Sequence, residues 1–235
     1  MLGNVIRNQT GYAASSFYGY DVVGIFQNAE EVSKSATQTA AAPGRFKYRD
    51  VNGDGAITTA DRTFLGSANP DFTYGFNLGV DFKNFDLSAI FYGSRGAKIH
   101  NQVRIYTDFF SGYVGGKSLD LLNAWTPDNP TARTPKAEMA ASFSSAGTAN
   151  SYYLEDGSYL RLNNLILGYT IPTSVLSRVS IKTLRVYAQA ANLFTITDYT
   201  GMDPEIGGSS SAFGIDYANY PNNQKSFIVG LNVSF

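Results

Sequence analysis

The pattern of the C-terminal stretch constrains the fold more than any other feature. Phe227, Val229, Leu231, Val233 and Phe235 alternate strictly with Ser226, Ile228, Gly230, Asn232 and Ser234. Successive side chains of a strand point to opposite faces, so a period of two makes one face apolar and the other mostly small or polar. Tyr74, Phe76, Leu78, Val80 and Phe82 repeat the pattern against Thr73, Gly75, Asn77, Gly79 and Asp81. In a soluble sandwich the apolar face packs on a second sheet. In a membrane barrel it faces lipid, and the small polar face lines a wet lumen. Both stretches run about ten residues, the length a tilted strand needs to cross a bilayer.

Further strands read at 85–95, 158–170 and 181–195. Leu160 and Leu162 fall on one parity while Leu165, Leu167 and Tyr169 fall on the other, which predicts a bulge near Asn163-Asn164. The connections alternate in length. Lys83-Asn84 is short, 96–157 is long, the turn with Ile171-Pro172-Thr173 is short, and 196–223 is long. A barrel with short periplasmic turns and long extracellular loops requires this alternation. A final strand running inward places Phe235 at the periplasmic rim and every long loop outside.

Composition agrees where it bears on this. Aromatics make up 14% of the 235 residues, Phe and Tyr number 16 each, and Gly numbers 23. These residues suit pleated surfaces and turns. Charged residues, at 16%, are few for a soluble surface. A net charge of −1 offers no basic field for nucleic acid. With no cysteine, disulfide scaffolds, thiolate metal sites and cysteine nucleophiles are excluded. No apolar run reaches the roughly 18 residues of a transmembrane helix, which leaves strands untouched.

The expected fold is therefore all-β: about five C-terminal strands of a large antiparallel transmembrane barrel, or six if 16–27 contributes one. So few cannot close, since about eight is the minimum, and an open sheet would leave two edges that lipid cannot satisfy. The N-terminal Met1-Leu2-Gly3-Asn4-Val5-Ile6-Arg7 lacks the basic and apolar regions of a secretory signal. The expectation is that 1–235 is part of a longer protein whose signal peptide and remaining strands lie elsewhere.

Several strings now read together. Ser15-Ser16-Phe17-Tyr18-Gly19-Tyr20 leads to Gly24-Ile25-Phe26-Gln27. Asp50-Val51-Asn52-Gly53-Asp54-Gly55, Asp61-Arg62 and Asn69-Pro70-Asp71-Phe72-Thr73-Tyr74-Gly75 follow. Later come Asn123-Ala124-Trp125-Thr126-Pro127, Glu155-Asp156-Gly157-Ser158-Tyr159-Leu160-Arg161, Leu167-Gly168-Tyr169-Thr170 and Asn192-Leu193-Phe194. The tail carries Thr200-Gly201-Met202-Asp203-Pro204-Glu205 and Tyr220-Pro221. In this order they resemble the C-terminal end of the SusC/RagA family of TonB-linked outer-membrane transporters, and the terminal Phe235 resembles the ending of many outer-membrane barrels. The resemblance implies a plugged barrel of roughly 22 strands. It implies import of oligosaccharides or peptides across the outer membrane of a Gram-negative bacterium, a SusD-like surface lipoprotein as lid, and energy through the TonB complex. The plug and the TonB-contacting segment are not in this sequence, so this stretch alone is expected to be inactive.

Asp50, Asn52, Asp54, Gly55, Ala56, Thr58 and Asp61 occupy positions 1, 3, 5, 6, 7, 9 and 12 of an EF-hand-type loop. That spacing lets side-chain oxygens of Asp50, Asn52, Asp54, Thr58 and Asp61 and the Ala56 carbonyl converge on calcium, with Gly allowing the turn. Asp at position 12 resembles the dockerin version. The flanks are weak: 46–48 reads as extended and 61–65 as a short helix. The alternative is a metal-free polar turn whose Asp and Asn side chains satisfy nearby amides.

Tyr106, Phe109, Phe110, Tyr113 and Trp125 in the long connection either stack on sugar and dock the lid, or build the loop's own core, with 118–125 as a helix capped by Ser118. Tyr92, Tyr169 and Tyr199 near strand ends read as girdle aromatics. His100, the single histidine, has no nucleophile motif beside it. Glu155-Asp156 and Asp203 with Glu205 are acid pairs of the sort common in turns, so the chain reads as non-enzymatic. The competing function is a secreted, soluble β-rich binding module with a dockerin-like calcium loop, which needs its apolar strand faces packed internally.

Overall fold

The computed structural model describes residues 5–109, 114–177, 180–209, 211–218, 221 and 223–235. In chain order the elements are β1 (Ile6–Arg7), β2 (Ser16–Gly19), β3 (Val22–Ile25), α1 (Ala29–Lys34), β4 (Phe46–Tyr48), β5 (Thr63–Ser67), β6 (Phe72–Phe82) and β7 (Phe85–Arg95). They continue as β8 (Lys98–Asn101), α2 (Arg104–Thr107), β9 (Leu154–Asp156), β10 (Tyr159–Thr170), α3 (Thr173–Leu176), β11 (Thr183–Thr197), β12 (Ile215–Asp216) and β13 (Ser226–Ser234). Among the described residues no helix is long and apolar enough to cross a membrane. The chain divides into two compact units, a sheet unit (Pro70–Gly96, Gly157–Glu205, Tyr220–Phe235) and a loop unit from the segments through Asn69, Ala97–Asp156 and Ile206–Asn219.

The sheet unit is a five-stranded antiparallel meander in the order β13-β11-β10-β7-β6. The two-residue turn Lys83-Asn84 joins β6 to β7, with Lys83 in the left-handed region at φ 55°. Register decides which side chains share a face, because residues directly opposite on paired strands point the same way. Phe76 lies opposite Phe91, and their rings stack at 4.5 Å. Leu87 pairs Leu167, Leu167 pairs Ala188, and Ala188 pairs Val229. One face is thus apolar across all five strands.

The expected bulge occurs. The register shifts between Leu162 and Asn164 against both neighbours, and Asn192 opposite it adopts φ 51°. Asn163 is the extra residue against β7, so Leu162 and Leu165 end up on the same apolar face despite their opposite parity. The edge strands carry the least cover. β6 is exposed along its whole length and β13 everywhere except Gly230. Val80, Val229 and Leu231 are 57%, 78% and 64% exposed. Among the described residues these side chains stay exposed, whereas the soluble-module reading needs them packed internally.

The loop unit contradicts two expectations. Residues 16–27 do not form a sixth long strand. β2 pairs with β1 and β5, and β3 pairs with β4, in small separate sheets. The reason is its core. Phe17 and Phe26 are buried on this unit's interior, and Gly19 lets the Ala149 carbonyl approach where any Cβ would collide. Tyr20 N–H then donates to Ala149 O and Ser151 N–H to Tyr20 O. Residues 61–65 are not a helix either. A short 3-10 turn at Thr59–Asp61 stops at Arg62, and β5 begins one residue later to pair with β2.

The main core of the loop unit gathers Tyr20, Ile25, Phe46, Tyr48, Ile105, Phe109, Trp125 and Tyr153. A second cluster joins Val5, Ile6, Phe17, Ala68, Ala149 and Ile215. β12 pairs in parallel with β8, so the 206–219 segment is part of this body. Segments that are long connections in the sequence fold here around a shared interior.

Candidate functional site

The acidic turn closes on itself. Asp50 accepts the amides of Gly53 (2.7 Å) and Gly55 (2.8 Å) on its two oxygens. Asn52 Oδ1 accepts Asp54 N–H at 3.0 Å, and Asp54 Oδ1 accepts Ala56 N–H at 2.9 Å. Asp61 is fully buried and holds both sides of the loop, accepting Val51 N–H at 2.9 Å and Thr58 N–H at 2.7 Å. Burial works to raise the Asp61 pKa, but the amides of Thr58, Val51 and Asn52 outweigh it and hold the carboxyl below its usual value. Thr58 caps the following turn by accepting Ala60 N–H. Among the described residues no three His, Cys, Asp or Glu side chains are arranged to hold a metal ion. All six expected ligands do lie in one turn, and each carboxylate oxygen that accepts one amide keeps a second lone pair.

The polar face of the sheet carries two ion-pair systems. Arg185 on β11 and Asp86 on β7 reach each other across β10, where Gly168 stands between them. A Cβ at Gly168 would collide with both the Asp86 carboxylate and the Arg185 guanidinium, so glycine there is what lets the pair form. Further along, Arg161 on β10 is buried and binds Asp203 at 2.6 Å and Glu205 at 2.7 Å, ordering the segment after β11. Its Nε also donates to Thr195 Oγ1 at 3.0 Å.

The loop unit holds the other charged network. Arg104 pairs with Asp108 at 2.8 Å, and its guanidinium lies 4.2 Å from the centre of the Tyr152 ring. Tyr152 in turn donates to Asp108 at 2.8 Å. Glu155 accepts Asn101 Nδ2 at 2.9 Å and lies 3.6 Å from Arg104, while Lys98 lies 3.6 Å from Asp156. These carboxylates are spent on ion pairs that hold strands together.

No protein-family model matches the chain. Against curated proteins it is 37% identical over 99% of its length to the TonB-dependent receptor P3 of Formosa agariphila, covering 24% of that protein. It is 30% identical over 98% of its length to the TonB-dependent receptor SusC of Bacteroides thetaiotaomicron, covering 20% of it. The solved RagAB peptide transporter superposes on the whole chain with a TM-score of 0.74 at 29% identity, over 24% of the matched chain. The chain is homologous to the SusC/RagA-type TonB-dependent receptors. It spans about a quarter of the length of the relatives it matches.

TonB-dependent receptors are transporters, not enzymes. The acid pairs of this chain fit that, since Glu155-Asp156 and Asp203 with Glu205 hold cations of the fold. Its loop aromatics divide. Phe109 and Trp125 are core residues, with Trp125 Nε1 donating to Gln27 Oε1 at 2.8 Å, whereas Tyr106 is 44% exposed. Phe110 and Tyr113 lie outside the described residues. The expected helix at 118–125 is a 3-10 turn, Leu119–Asn123, capped by Ser118 accepting Asp120 N–H. Of the expected girdle tyrosines only Tyr169 shares the apolar face, its ring tilted 50° against Phe85 with centroids 4.6 Å apart. Tyr92 pairs with Gly75 and Arg161 on the polar face, and Tyr199 is buried beyond the end of β11. His100 is structural: it is 2% exposed, its ring nitrogens have no hydrogen-bond partner among the described residues, and burial pushes its pKa down to about 4.

Sequence reading missed the two ion-pair systems of the sheet. Arg185 and Asp86 stand 99 positions apart and Arg161 and Asp203 stand 42 apart. Strand register brings Asp86 to Arg185, and the course of the segment after β11 brings Asp203 to Arg161. The one local signal was a charged residue on the polar parity of an otherwise membrane-like strand.

Proposed function

We propose that this chain forms part of the wall of an outer-membrane, TonB-dependent importer, with its apolar sheet face against lipid and its polar face toward the lumen. The observation that carries the reading is the five-strand meander whose exposed apolar face runs unbroken from β6 to β13. In water such a face, with two unpaired edges, is an aggregation site. In a closed barrel lipid covers it, and further strands pair the edges. The charged side of the same sheet, with Asp86, Arg185 and Arg161, then meets water or protein inside the barrel.

The loop unit in this reading is extracellular, because the connections that build it all leave the sheet on the side of the long loops. The cargo is an oligosaccharide or a peptide, handed over by a SusD-like surface lipoprotein, and import draws on the TonB complex through parts of the protein outside this chain. The RagAB assembly named as a peptide importer supports a two-component machine of this kind. The acidic turn takes calcium weakly, in the roughly 0.1–1 mM range of extracellular modules, and stiffens the 50–61 loop.

The facing is tested in the full-length protein by Leu231→Arg against Asn232→Arg. The two positions are adjacent on β13 and point to opposite faces. Arginine at mid-bilayer on the lipid face costs about 2–4 kcal/mol, so Leu231→Arg should lower the amount of folded protein in outer membranes, and Asn232→Arg should leave it near the parent level. Equal tolerance of both substitutions would refute the assigned facing.

A further inference from the structure

We propose that the tip of the 50–61 turn is a self-modifying site: Asn52 loses its side-chain nitrogen as ammonia through attack by the Gly53 amide, leaving aspartate or isoaspartate at position 52. The proposal depends neither on the importer reading nor on calcium.

Asn52 is the one asparagine of the chain that glycine follows. The nucleophile is the backbone nitrogen of that next residue, and a β-carbon there would crowd its approach to the side-chain carbonyl. Gly53 adopts φ 73°, and beyond its chain neighbours no atom lies within 4 Å of where a Cβ would stand. Both residues are exposed, so water reaches them.

The turn also places a group at each reacting atom. Gly53 N–H donates to Asp50 Oδ1 at 2.7 Å, so a carboxylate is in place to take the proton as the nitrogen attacks. Asn52 Oδ1 accepts Asp54 N–H at 3.0 Å, which polarises the carbonyl and offers a donor to the negative oxygen that forms. The departing nitrogen, Asn52 Nδ2, donates to Asp54 Oδ2 at 2.8 Å, which fixes the plane of the amide. Behind this tip Asp61 holds the amides of Val51 and Thr58, so these groups stand on an ordered base.

The step balances in atoms and electrons. A bond forms between Gly53 N and Asn52 Cγ, and the Cγ–Nδ2 bond breaks with its electron pair on nitrogen. The proton lost by Gly53 N passes through Asp50 and solvent to that nitrogen, which leaves as ammonia. One water then opens the five-membered imide. Opening at the side-chain carbonyl gives aspartate. Opening at the backbone carbonyl gives isoaspartate, whose main chain is one carbon longer. Either product adds a negative charge beside Asp50 and Asp54, and the longer chain also moves the amides of Gly53 and Gly55 relative to Asp50.

The test ages the full-length protein in detergent at neutral pH with a chelator present, then digests it with trypsin. Cleavage after Arg49 and Arg62 releases a peptide whose only asparagine is Asn52. Ahead of every other asparagine peptide, it should gain the mass difference between an amide NH2 and a hydroxyl, and isoaspartyl methyltransferase should label it. The folded protein should convert faster than the same peptide free in solution, because the fold supplies the aligned groups. Gly53→Ala should slow conversion by about tenfold or more, and Asp50→Asn should bring the rate down to that of the free peptide or below. The comparison of parent with free peptide uses no variant, so it decides even where a substitution loosens the turn. The proposal is overturned by no mass gain at Asn52, by faster conversion in the free peptide, or by parental conversion in either variant. None of these results touches the importer reading, which stands or falls with the Leu231→Arg and Asn232→Arg comparison.

Discussion

The sheet unit and the loop unit are opposites in where they put their aromatic and aliphatic side chains. The sheet turns Phe76, Leu78, Val80, Phe227, Val229 and Leu231 outward, and it is held mainly by backbone pairing between neighbours in sequence order. The loop unit turns Phe46, Tyr48, Phe109, Trp125 and Tyr153 inward around one interior assembled from distant segments. On the proposed reading, similar residues face different solvents in the two units. Where the outer medium is lipid the apolar side can stay outside, and polar groups need only be satisfied within the sheet. Where it is water the apolar groups must find each other, and buried polar groups need partners of their own.

The sharpest way to separate the two is to damage one interior. Phe46 is completely buried, so Phe46→Ala should cost the loop unit about 3–5 kcal/mol. Limited proteolysis of the full-length protein in membranes should then cut within 26–60 and 97–156, with the five long strands still protected. Loss of strand protection along with the loops would make the two units one cooperative body.

Acid should distinguish them next. His100 is neutral in the folded loop unit until about pH 4 and protonates near pH 6.5 when unfolded. Its contribution is complete above pH 6.5 and is lost as pH falls from 6.5 toward 4, because only the unfolded chain takes up the proton. The loss amounts to at most about 3 kcal/mol. Hydrogen exchange of β8 and β9 should quicken over that window, and His100→Phe should flatten the dependence. An unchanged pH profile in the variant would remove His100 as the cause.

A smaller effect is expected in the sheet. Gly168→Ala pushes a methyl group into the Asp86–Arg185 pair, whose flexible ends can move aside, at a cost of about 1–3 kcal/mol. Lower heat resistance of the assembled barrel with unaltered loop proteolysis is the anticipated pattern. The smallest effect belongs to the acidic turn. Millimolar calcium should stabilise the loop unit by about 1 kcal/mol and protect the 50–61 amides from exchange. Identical exchange with calcium and with chelator would mark it as a turn that needs no ion.

This contrast also explains what could be read from sequence. Alternation is local, so β6, β7, β10, β11 and β13 were legible from side-chain period, and even the parity break between Leu162 and Leu165 announced the bulge at Asn163. The loop unit has no period. The apolar residues of 16–27 read as one more wall strand because nothing nearby reveals that their partners are Ala149, Tyr153 and Ile215. The acidic turn was legible as a turn because its acceptors serve amides within a few residues, yet the buried role of Asp61 was not. The Asp86–Arg185 pair depends on register, and the approach of Arg7 and of Arg62 to the Tyr18 ring depends on the pairing of β1 with β2 and β2 with β5.

The central claim is that the sheet separates lipid from lumen, and collision rates of spin labels measure it directly. Single cysteines at positions 77, 78, 80, 229, 231 and 232 of a cysteine-free full-length protein, each carrying a nitroxide, can be probed in membranes with oxygen and with a water-soluble nickel chelate. The account predicts that labels at Leu78, Val80, Val229 and Leu231 favour oxygen, and that those at Asn77 and Asn232 do not. Equal access of the water-soluble chelate to both sets would contradict it.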